Sequence, residues 1–442
     1  MKKPILLIGE VYIDFTINTN HKEPKMRLGG ITHAARGLWA SNIPYAVAAI
    51  CPSYIIDLLK DYLLKHNCSD FHLIGEIKNS PNLILISDVK EVGHQGYEDI
   101  LREEKKINIL DISSDLKNYE RAIIFPGKYA LHDILNILPQ KTTISVDIAY
   151  GVKSFDELSN IKQHIDLISI STSSDLFREI ILNGIQRLLS EVSKLKADFF
   201  LLKENRGGSH VYNLRTSAME EIPAYLYKTI NSVGVGDVYT SVMAAKSLEL
   251  NIDSAWRGLQ AATCYAQTTF PDDLKRNLER DYNIPIESLK IMKGTSLPWL
   301  TRKDYKIYLA APDFSYIEKK EIEEAISSLE YHNFNVKRPI IENGEIERPA
   351  ENHILKDMYQ KDIKLLNDCD IVLAIPLERD PGTLVEIGHA LSSGIPVVTY
   401  DPRKENDNTM IMGGCDAYTD CLDIALNHIF MILSKIRKGE KN

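Results

Sequence analysis

The sequence contains no run of about 18 apolar residues, the length that a membrane-spanning helix requires. Its first apolar stretch is interrupted early by Glu10 and Asp14, and no signal-peptide cleavage site follows. The six cysteines form no CxxC pair and no histidine pair has metal-ligand spacing, so neither a disulfide scaffold nor a protein-held metal is predicted. The net charge of −9 argues against general binding to nucleic acid phosphates. These absences predict a cytoplasmic protein that binds neither membranes nor nucleic acid.

The sequence does contain short β-branched runs that alternate with longer helical patterns. Its 442 residues, 44% apolar and 26% charged, are enough for two or three globular domains. Near-continuous apolar runs are typical of parallel strands covered by helices on both faces, so an α/β fold with a mostly parallel sheet is predicted. The strand candidates are Ile5–Gly9, Tyr45–Ile50, Leu83–Ser87, Ala122–Phe125, Thr143–Ile148, Leu167–Ser171 and Phe199–Lys203, and the helix candidates include Ile31–Ala40, Ile55–Lys65 and Ser174–Lys194.

The alternation stops between about Pro271 and Lys303, where the sequence is charged and has little strand signal. It then restarts with the strand candidate KIYLAAP and continues as a smaller parallel α/β pattern. We therefore predict a first domain over 1–285, a linker over 286–304 and a second domain over 305–442.

A glycine-rich turn, Gly234-Val235-Gly236-Asp237, directly precedes an amphipathic helix. The backbone amides of Gly234, Val235 and Gly236 can form an anion hole at the start of that helix. A carboxylate at Asp237 could accept the proton of a hydroxyl that attacks a phosphoryl group. The alternative for this motif alone is an ordinary loop in which Asp237 caps the helix.

Asp14 and the pair Gly29-Gly30 follow the first strand and precede the next helix, which places them where ligands bind in open α/β sheets. Together with GVGD, these pieces resemble the PfkB/ribokinase family of sugar and nucleoside kinases over the first ~285 residues. The resemblance implies a ribokinase-like sheet sandwiched by helices and the use of ATP and Mg²⁺. It also implies that Asp237 is the catalytic base, and that Asp14, Gly29 and Gly30 line the pocket of the phosphate acceptor.

The N-terminal part departs from that family at three places. Ala34 stands near the usual asparagine, and STSSDLF replaces the Asn-x-x-Glu motif that helps to organise Mg²⁺. Only fourteen residues separate Asp14 from Gly29, which is short for a lid. A degenerate domain that binds a nucleoside or nucleotide without phosphorylating it is therefore the alternative.

The C-terminal part places four polar residues at or near the strand ends of one small sheet: Tyr308, Asp362, Asp380 and Glu386. Glu386 lies one turn into a helix that begins at Asp380-Pro-Gly-Thr, on the side opposite the face that should pack on the sheet. A solvated glutamate, favoured by the helix dipole, is the alternative for Glu386 alone. Asp370 is expected to anchor its strand rather than to take part in chemistry.

The ordered motifs YLAAPDFS, DIKLLNDCDIVLAIP, DPGT with a glutamate three residues after the threonine, and IPVV resemble the nucleoside 2-deoxyribosyltransferase family. The resemblance implies a flavodoxin/Rossmann-like parallel α/β domain that needs no cofactor. It makes Glu386 the nucleophile on C1′ of a deoxynucleoside, Asp380 the group that contacts the base and moves its proton, Asp362 a ligand of the sugar hydroxyls and Tyr308 a hydrogen-bond partner of Glu386. It also implies a homo-oligomer formed through this domain, in which Asn408 completes the pocket of a neighbouring subunit.

The two resemblances together predict a bifunctional enzyme of nucleoside metabolism whose ligands are small nucleosides or nucleotides. The C-terminal domain would transfer or cleave the N-glycosidic bond, and the N-terminal domain would phosphorylate a nucleoside or sugar. The alternative is a nucleoside or nucleotide N-glycosidase effector of stress or anti-phage defence with a degenerate, ligand-binding kinase-like domain. A third, non-enzymatic possibility is that both domains are regulatory nucleotide binders.

Overall fold

The structure is a computed structural model that describes residues 3–17, 24–100, 103–110, 113–246, 250–346 and 349–440. The chain forms two compact units. Unit 1 comprises Met1–Lys90 and Gln95–Gly294, and unit 2 comprises Glu91–His94 and Thr295–Asn442. The segment 286–304, for which the sequence predicts a linker, contains two short helices, Ile286–Ile291 and Trp299–Arg302.

Unit 1 contains fourteen strands and nine α-helices among its described residues. The strands are β1 (Ile5–Glu10), β2 (Ile13–Thr16), β3 (Lys25–Leu28), β4 (Tyr45–Cys51), β5 (Phe71–Lys78), β6 (Leu83–Ile86), β7 (Glu98–Asp99), β8 (Lys106–Ile109), β9 (Arg121–Phe125), β10 (Thr143–Asp147), β11 (Ile165–Ser171), β12 (Phe199–Lys203), β13 (Ser209–Asn213) and β14 (Ala218–Ile222). The helices are α1 (Ile31–Ala40), α2 (Ile56–Lys65), α3 (Leu131–Ile137), α4 (Asp175–Ile181), α5 (Ile185–Lys194), α6 (Val235–Ala245), α7 (Ile252–Ala266), α8 (Pro271–Asp281) and α9 (Ile286–Ile291).

The main sheet of unit 1 has the strand order β14-β13-β12-β11-β10-β9-β1-β4-β5-β8. The seven strands from β12 to β5 run parallel, and antiparallel strands complete both edges. Every residue of β1, β4, β11 and β12 is buried, because helices cover both faces of a parallel sheet. This confirms the predicted α/β class with a mostly parallel sheet.

A second, four-stranded sheet of unit 1 has the order β3-β2-β6-β7 and carries Asp14 in β2. Strand β6 lies in this sheet, and only the last of its four residues is fully buried. The apolar run at 83–87 therefore forms a partly buried strand of the small sheet, although its composition predicts a strand covered on both faces. The predicted helix 174–194 is also divided, since Gly184 adopts a φ of 86° between α4 and α5.

Unit 2 has a smaller, fully parallel sheet with the order β16-β15-β17-β18-β19. This sheet confirms the predicted second parallel α/β domain. Its strands are β15 (Lys306–Ala310), β16 (Asn335–Lys337), β17 (Ile371–Ala374), β18 (Val397–Tyr400) and β19 (Ala417–Thr419). Its described helices are α10 (Trp299–Arg302), α11 (Lys320–Tyr331), α12 (Pro339–Glu342), α13 (Asn352–Asn367), α14 (Pro381–Ser392), α15 (Thr409–Met412) and α16 (Leu422–Arg437).

Among the described residues, none of the helices combines the length and the hydropathy that a bilayer-crossing segment requires.

Candidate active sites

Helix α14 presents Glu386 at the carboxyl edge of the unit 2 sheet. The helix begins sharply because Asp380 caps it and Pro381 occupies its first position, where the missing N–H costs no hydrogen bond. The Oδ2 atom of Asp380 accepts hydrogen bonds from the Thr383 amide (2.7 Å) and the Thr383 hydroxyl (2.8 Å). Two residues predicted to act on substrate are thus fixed by one short segment.

The Glu386 carboxylate is held by a single described side chain. The hydroxyl of Tyr308, a fully buried residue of β15, donates a 2.6 Å hydrogen bond to Glu386 Oε1. Within the described part of the chain, no lysine, arginine or histidine forms an ion pair with Glu386. A carboxylate that is partly buried, oriented and unpaired has the features of a nucleophile.

Burial raises the pKa of Glu386 to about 8, and the negative charges of Asp362 and Asp380 add to the increase. The hydrogen bond from Tyr308 acts in the opposite direction and lowers the pKa. Asp362 also lies in a partly desolvated position, where burial raises its pKa, and its Oδ1 accepts a 2.8 Å hydrogen bond from Asn343 Nδ2. Such a cluster of carboxylates with perturbed pKa values is typical of a site that handles protons.

The pKa of Glu386 predicts a rising pH profile. Because the attacking form is the carboxylate, kcat/KM should rise with pH through about 8. Asp362→Asn removes a neighbouring negative charge and should move this acid limb to lower pH, whereas Tyr308→Phe removes the stabilising hydrogen bond and should move it to higher pH. The check is the rate of base release between pH 5 and pH 10; shifts of the two variants in the same direction would contradict this electrostatic account.

Two other predicted residues take structural positions in unit 2. Asp370 Oδ2 accepts a 2.7 Å hydrogen bond from the Lys306 amide, so Asp370 anchors the start of β15 at the edge opposite the site. Asn408 caps the short helix α15 by accepting a 2.9 Å hydrogen bond from the Met410 amide, and its side chain is exposed. Among the described residues, no hydrogen bond joins Asn408 to Tyr308, Asp362, Asp380 or Glu386.

In unit 1, the glycine-rich turn stands at the start of α6 as predicted from its sequence. Gly234 adopts the left-handed conformation with φ 83°, and a Cβ atom there would lie 2.2 Å from Cγ of His33. The Val235 amide donates a 3.1 Å hydrogen bond to Ser232 O and is already engaged. Within the described residues, the amides of Gly234 and Gly236 have no acceptor, so two of the three predicted anion-hole donors are available.

Two glycine variants separate backbone strain from steric collision. Gly394, which follows the end of α14, has a φ of 70°, and a Cβ atom there would meet nothing within 4 Å. We expect Gly394→Ala to lower the free energy of unfolding by about 1 kcal/mol and Gly234→Ala by roughly 3 kcal/mol, because the second variant adds the collision with the His33 ring. Denaturant unfolding of the two full-length variants tests this; equal losses would show that the turn tolerates a side chain.

Burial raises the pKa of Asp237 to about 7, with further increases from the negative charges of Asp147 and Asp14. The positive charge of Lys203 lowers the pKa. The described residues offer Asp237 neither a hydrogen-bond donor nor an ion-pair partner. A carboxylate with a pKa near neutrality can act as a general base on a hydroxyl.

A buried ion pair between Lys203 and Asp147 contacts the glycine-rich turn. Lys203 Nζ donates to Asp147 Oδ2 (2.5 Å), to Thr240 Oγ1 (3.1 Å) and to Gly236 O (3.4 Å). These three acceptors use the three donors of the ammonium group, so Lys203 is committed to the protein rather than to a ligand.

Asp14 is also paired within the protein. Its Oδ2 atom lies 3.3 Å from Arg27 Nε and 3.0 Å from His33 Nε2, and these groups lower the pKa of Asp14 against the effect of its burial. Gly29 packs directly on this carboxylate, since a Cβ there would lie 2.0 Å from Asp14 Oδ1, and Gly30 is the residue that caps α1. The structure therefore brings Asp14, Gly29 and the glycine-rich turn into one cluster, with His33 between them.

The side chains around Asp237 do not fit a divalent cation held by the protein itself. The carboxylate of Asp147, whose negative charge raises the pKa of Asp237, is already paired with Lys203. Over the described ranges, no group of three or more histidine, cysteine, aspartate or glutamate side chains is arranged to hold a metal ion. The described residues therefore provide no three-ligand protein site for the Mg²⁺ that the kinase resemblance implies, and such an ion would have to be held mainly by the phosphates of a bound nucleotide.

Comparison with known proteins agrees with the motifs of unit 2. Residues 307–415 match the family model described as nucleoside 2-deoxyribosyltransferase. The match confirms the resemblance predicted from the ordered motifs, and the matched segment contains Tyr308, Asp362, Asp380 and Glu386. None of the curated proteins compared with the chain matches it.

Solved structures of ribokinase-family proteins match the N-terminal region. Ribokinase from Thermotoga maritima is 12% identical, with a TM-score of 0.44 over 64% of this chain and 99% of that one. Ribokinase from Arabidopsis thaliana, solved with ribose and ATP, is 11% identical, with a TM-score of 0.43 over 63% and 99%. The nucleoside kinase of Methanocaldococcus jannaschii is 14% identical, with a TM-score of 0.42 over 63% and 99%.

Sequence reasoning missed the partners of the predicted residues. Lys203 ends an otherwise apolar strand, and Asp147 is the one charged residue of its strand. A charge at the end of a buried strand is the signal that could have marked both residues. No sequence signal indicates that Asn343 binds Asp362, because the two residues lie 19 positions apart. Asn343 is at the end of α12, and Asp362 is in α13.

Proposed function

We propose that unit 2 cleaves or transfers the N-glycosidic bond of 2′-deoxynucleosides through a covalent glycosyl intermediate on Glu386. The observation that carries this proposal is the Glu386 carboxylate, which is partly buried, bonded by Tyr308 and free of ion pairs among the described residues. The family match over 307–415 supports the substrate class.

The chemistry consists of two displacements at C1′. In the first, an oxygen of Glu386 forms a bond to C1′ while the C1′–N bond breaks, and the departing base takes a proton that the Asp380 carboxylate has first accepted from solvent. In the second, a nitrogen of another base attacks C1′, releases Glu386 and loses its proton to Asp380. Asp362 binds the sugar hydroxyls, and Tyr308 orients the nucleophile. Water in place of the second base would make the same site an N-glycosidase.

Product analysis distinguishes the two outcomes. The full-length protein is incubated with one deoxynucleoside and a different free base, and the products are separated by chromatography. A new nucleoside identifies a transferase, whereas free base with free sugar identifies a hydrolase. Neither product from any nucleoside or nucleotide would contradict the proposal.

We propose for unit 1 the ATP-dependent phosphorylation of a nucleoside or sugar, with Asp237 as the base that removes the proton of the acceptor hydroxyl. The pKa of about 7 at Asp237 supports this role, and so do the two available amides of Gly234 and Gly236. Asp14, Gly29 and Gly30 would line the acceptor pocket.

The alternative for unit 1, a domain that binds a nucleotide without phosphorylating it, is favoured by the ion pairs. Asp14 forms an ion pair with Arg27 and a hydrogen bond with His33, whose pKa is lowered to about 4 by burial, and Asp147 forms an ion pair with Lys203. Carboxylates that are already neutralised bind a sugar hydroxyl or a metal less readily. In that case unit 2 would act as an N-glycosidase effector.

We further propose a homo-oligomer formed through unit 2. Next to Asn408, the side chains of Met410 and Met412 are 80% and 48% exposed, and large apolar side chains grouped on a surface favour burial in an interface. In such an assembly Asn408 could reach the pocket of a neighbouring subunit. The cytoplasmic location stays a prediction from the sequence.

A further inference from the structure

The turn that leads to Asp380 is strained. Glu378 and Arg379 both have a φ of 55°. This lies in the left-handed region of the backbone, which residues other than glycine and asparagine rarely adopt. The two residues are consecutive and directly precede the cap Asp380. Strained residues of this kind persist only where the surrounding structure holds them, and they concentrate at functional sites.

Two residues of a neighbouring loop hold this turn. Glu405 Oε2 accepts a 2.7 Å hydrogen bond from the Glu378 amide, and Glu405 O accepts a 2.8 Å hydrogen bond from Arg379 Nε. Asn406 Nδ2 donates a 2.6 Å hydrogen bond to the carbonyl of Pro376. The turn is thus bonded just before its strained residues and at both of them.

The loop is itself anchored on a buried carboxylate. Asp401, which follows β18 and is fully buried, accepts hydrogen bonds from the amides of Glu405 (3.1 Å) and Asn406 (2.8 Å). The Tyr418 hydroxyl donates a third hydrogen bond of 2.6 Å to Asp401. A continuous set of bonds therefore runs from the sheet, through 401–406, to the turn.

We propose that Glu405 and Asn406 are positioning residues, which hold the strained turn so that the Asp380 carboxylate stays at the reaction site. This proposal rests on the proposed function of unit 2. Neither residue touches the reacting atoms; each acts through the turn at 376–379. Without these bonds the turn can relax to ordinary backbone angles, and Asp380 would move with it.

The test uses full-length Glu405→Ala, Glu405→Gln and Asn406→Ala, with base release from a deoxynucleoside as the assay. Because a displacement of about 1 Å can cost 10²-fold, we expect Glu405→Ala and Asn406→Ala to lower kcat by about 10-fold or more with little change in KM. Glu405→Gln keeps an acceptor oxygen and should retain most of the activity. Asp370→Ala is the matched control, because it removes an equivalent carboxylate-to-amide bond at the opposite edge of the sheet and should leave kcat unchanged.

The pH profile separates positioning from simple loss of stability. Glu386 is faced by Tyr308, Asp362 and Asp380, and the charge of Asp380 raises the pKa of Glu386. If Asp380 moves away in Glu405→Ala, the acid limb should shift to lower pH. Adding Glu378→Asn, which tolerates the left-handed conformation better, should recover part of the lost kcat.

Wild-type kcat and an unshifted acid limb in folded Glu405→Ala would overturn the inference, provided that Glu386→Gln is inactive. If Glu405→Ala does not fold, Asn406→Ala gives the same decision. Wild-type base release by Glu386→Gln would instead overturn the proposed function itself.

Discussion

Glu386→Gln should lower the rate of base release from a 2′-deoxynucleoside by about 10³-fold or more, because an amide cannot form the glycosyl ester. The side chain keeps its size, so the Tyr308 hydroxyl can still donate to the amide oxygen and the fold should be preserved. The measurement is the single-turnover rate of base release at pH 8, with mass spectrometry of the quenched wild-type protein. The wild type should carry one deoxyribosyl group on the peptide that contains Glu386.

The control for this prediction is Glu330→Gln, which changes an exposed glutamate of α11 in the same unit and should leave the rate unchanged. Activity of Glu386→Gln close to that of the wild type would show that Glu386 is not the nucleophile. A retained rate together with no covalent adduct would exclude the two-displacement chemistry as well.

Asp237→Asn should lower ATP-dependent phosphorylation of a nucleoside or pentose by about 10²–10⁴-fold, because asparagine cannot accept the hydroxyl proton. The burial that raises the pKa of Asp237 to about 7 also means that the wild-type rate should rise with pH through about 7. Transfer of labelled phosphate from ATP to the acceptor measures both effects.

Asp175→Asn is the matched control for Asp237→Asn. Both aspartates lie in the first turn of a helix, Asp175 in α4 and Asp237 in α6, but Asp175 is exposed. Replacing Asp175 should therefore not change the rate of phosphate transfer. If the wild-type protein transfers phosphate to no nucleoside or pentose, the alternative of a ligand-binding unit 1 is favoured. In that case ATP binding by calorimetry should still be weakened by Gly236→Val, which would fill the space beside the turn.

Much of the fold follows from local patterns in the sequence. The apolar run at the N-terminus becomes the fully buried strand β1, and α1 occupies the predicted residues Ile31–Ala40. Hydrophobic periodicity predicts these elements because a window of a few residues already shows whether a segment is buried on one face or on both. The same reasoning failed at 83–87, because composition does not show which of two sheets a short apolar strand joins.

For the candidate site, too, the sequence predicts some features and not others. The order and spacing of Tyr308, Asp380 and Glu386 were enough to place them at one sheet edge, and the structure joins Tyr308 to Glu386 with a 2.6 Å hydrogen bond. The sequence could not show that Lys203 neutralises Asp147 across 56 positions, or that Arg27 and His33 pair with Asp14. These contacts depend on which strands become neighbours.

By itself, then, the sequence determined the α/β class, one mostly parallel sheet in each unit and the residue types at the carboxyl edges of these sheets, since periodicity and turn residues act locally. The tertiary structure alone decided which carboxylates are paired and which stay free, because pairing and desolvation depend on groups that are distant along the chain. It also decided the strained conformation at Glu378 and Arg379, which no local preference favours and which the Glu405 and Asn406 hydrogen bonds maintain.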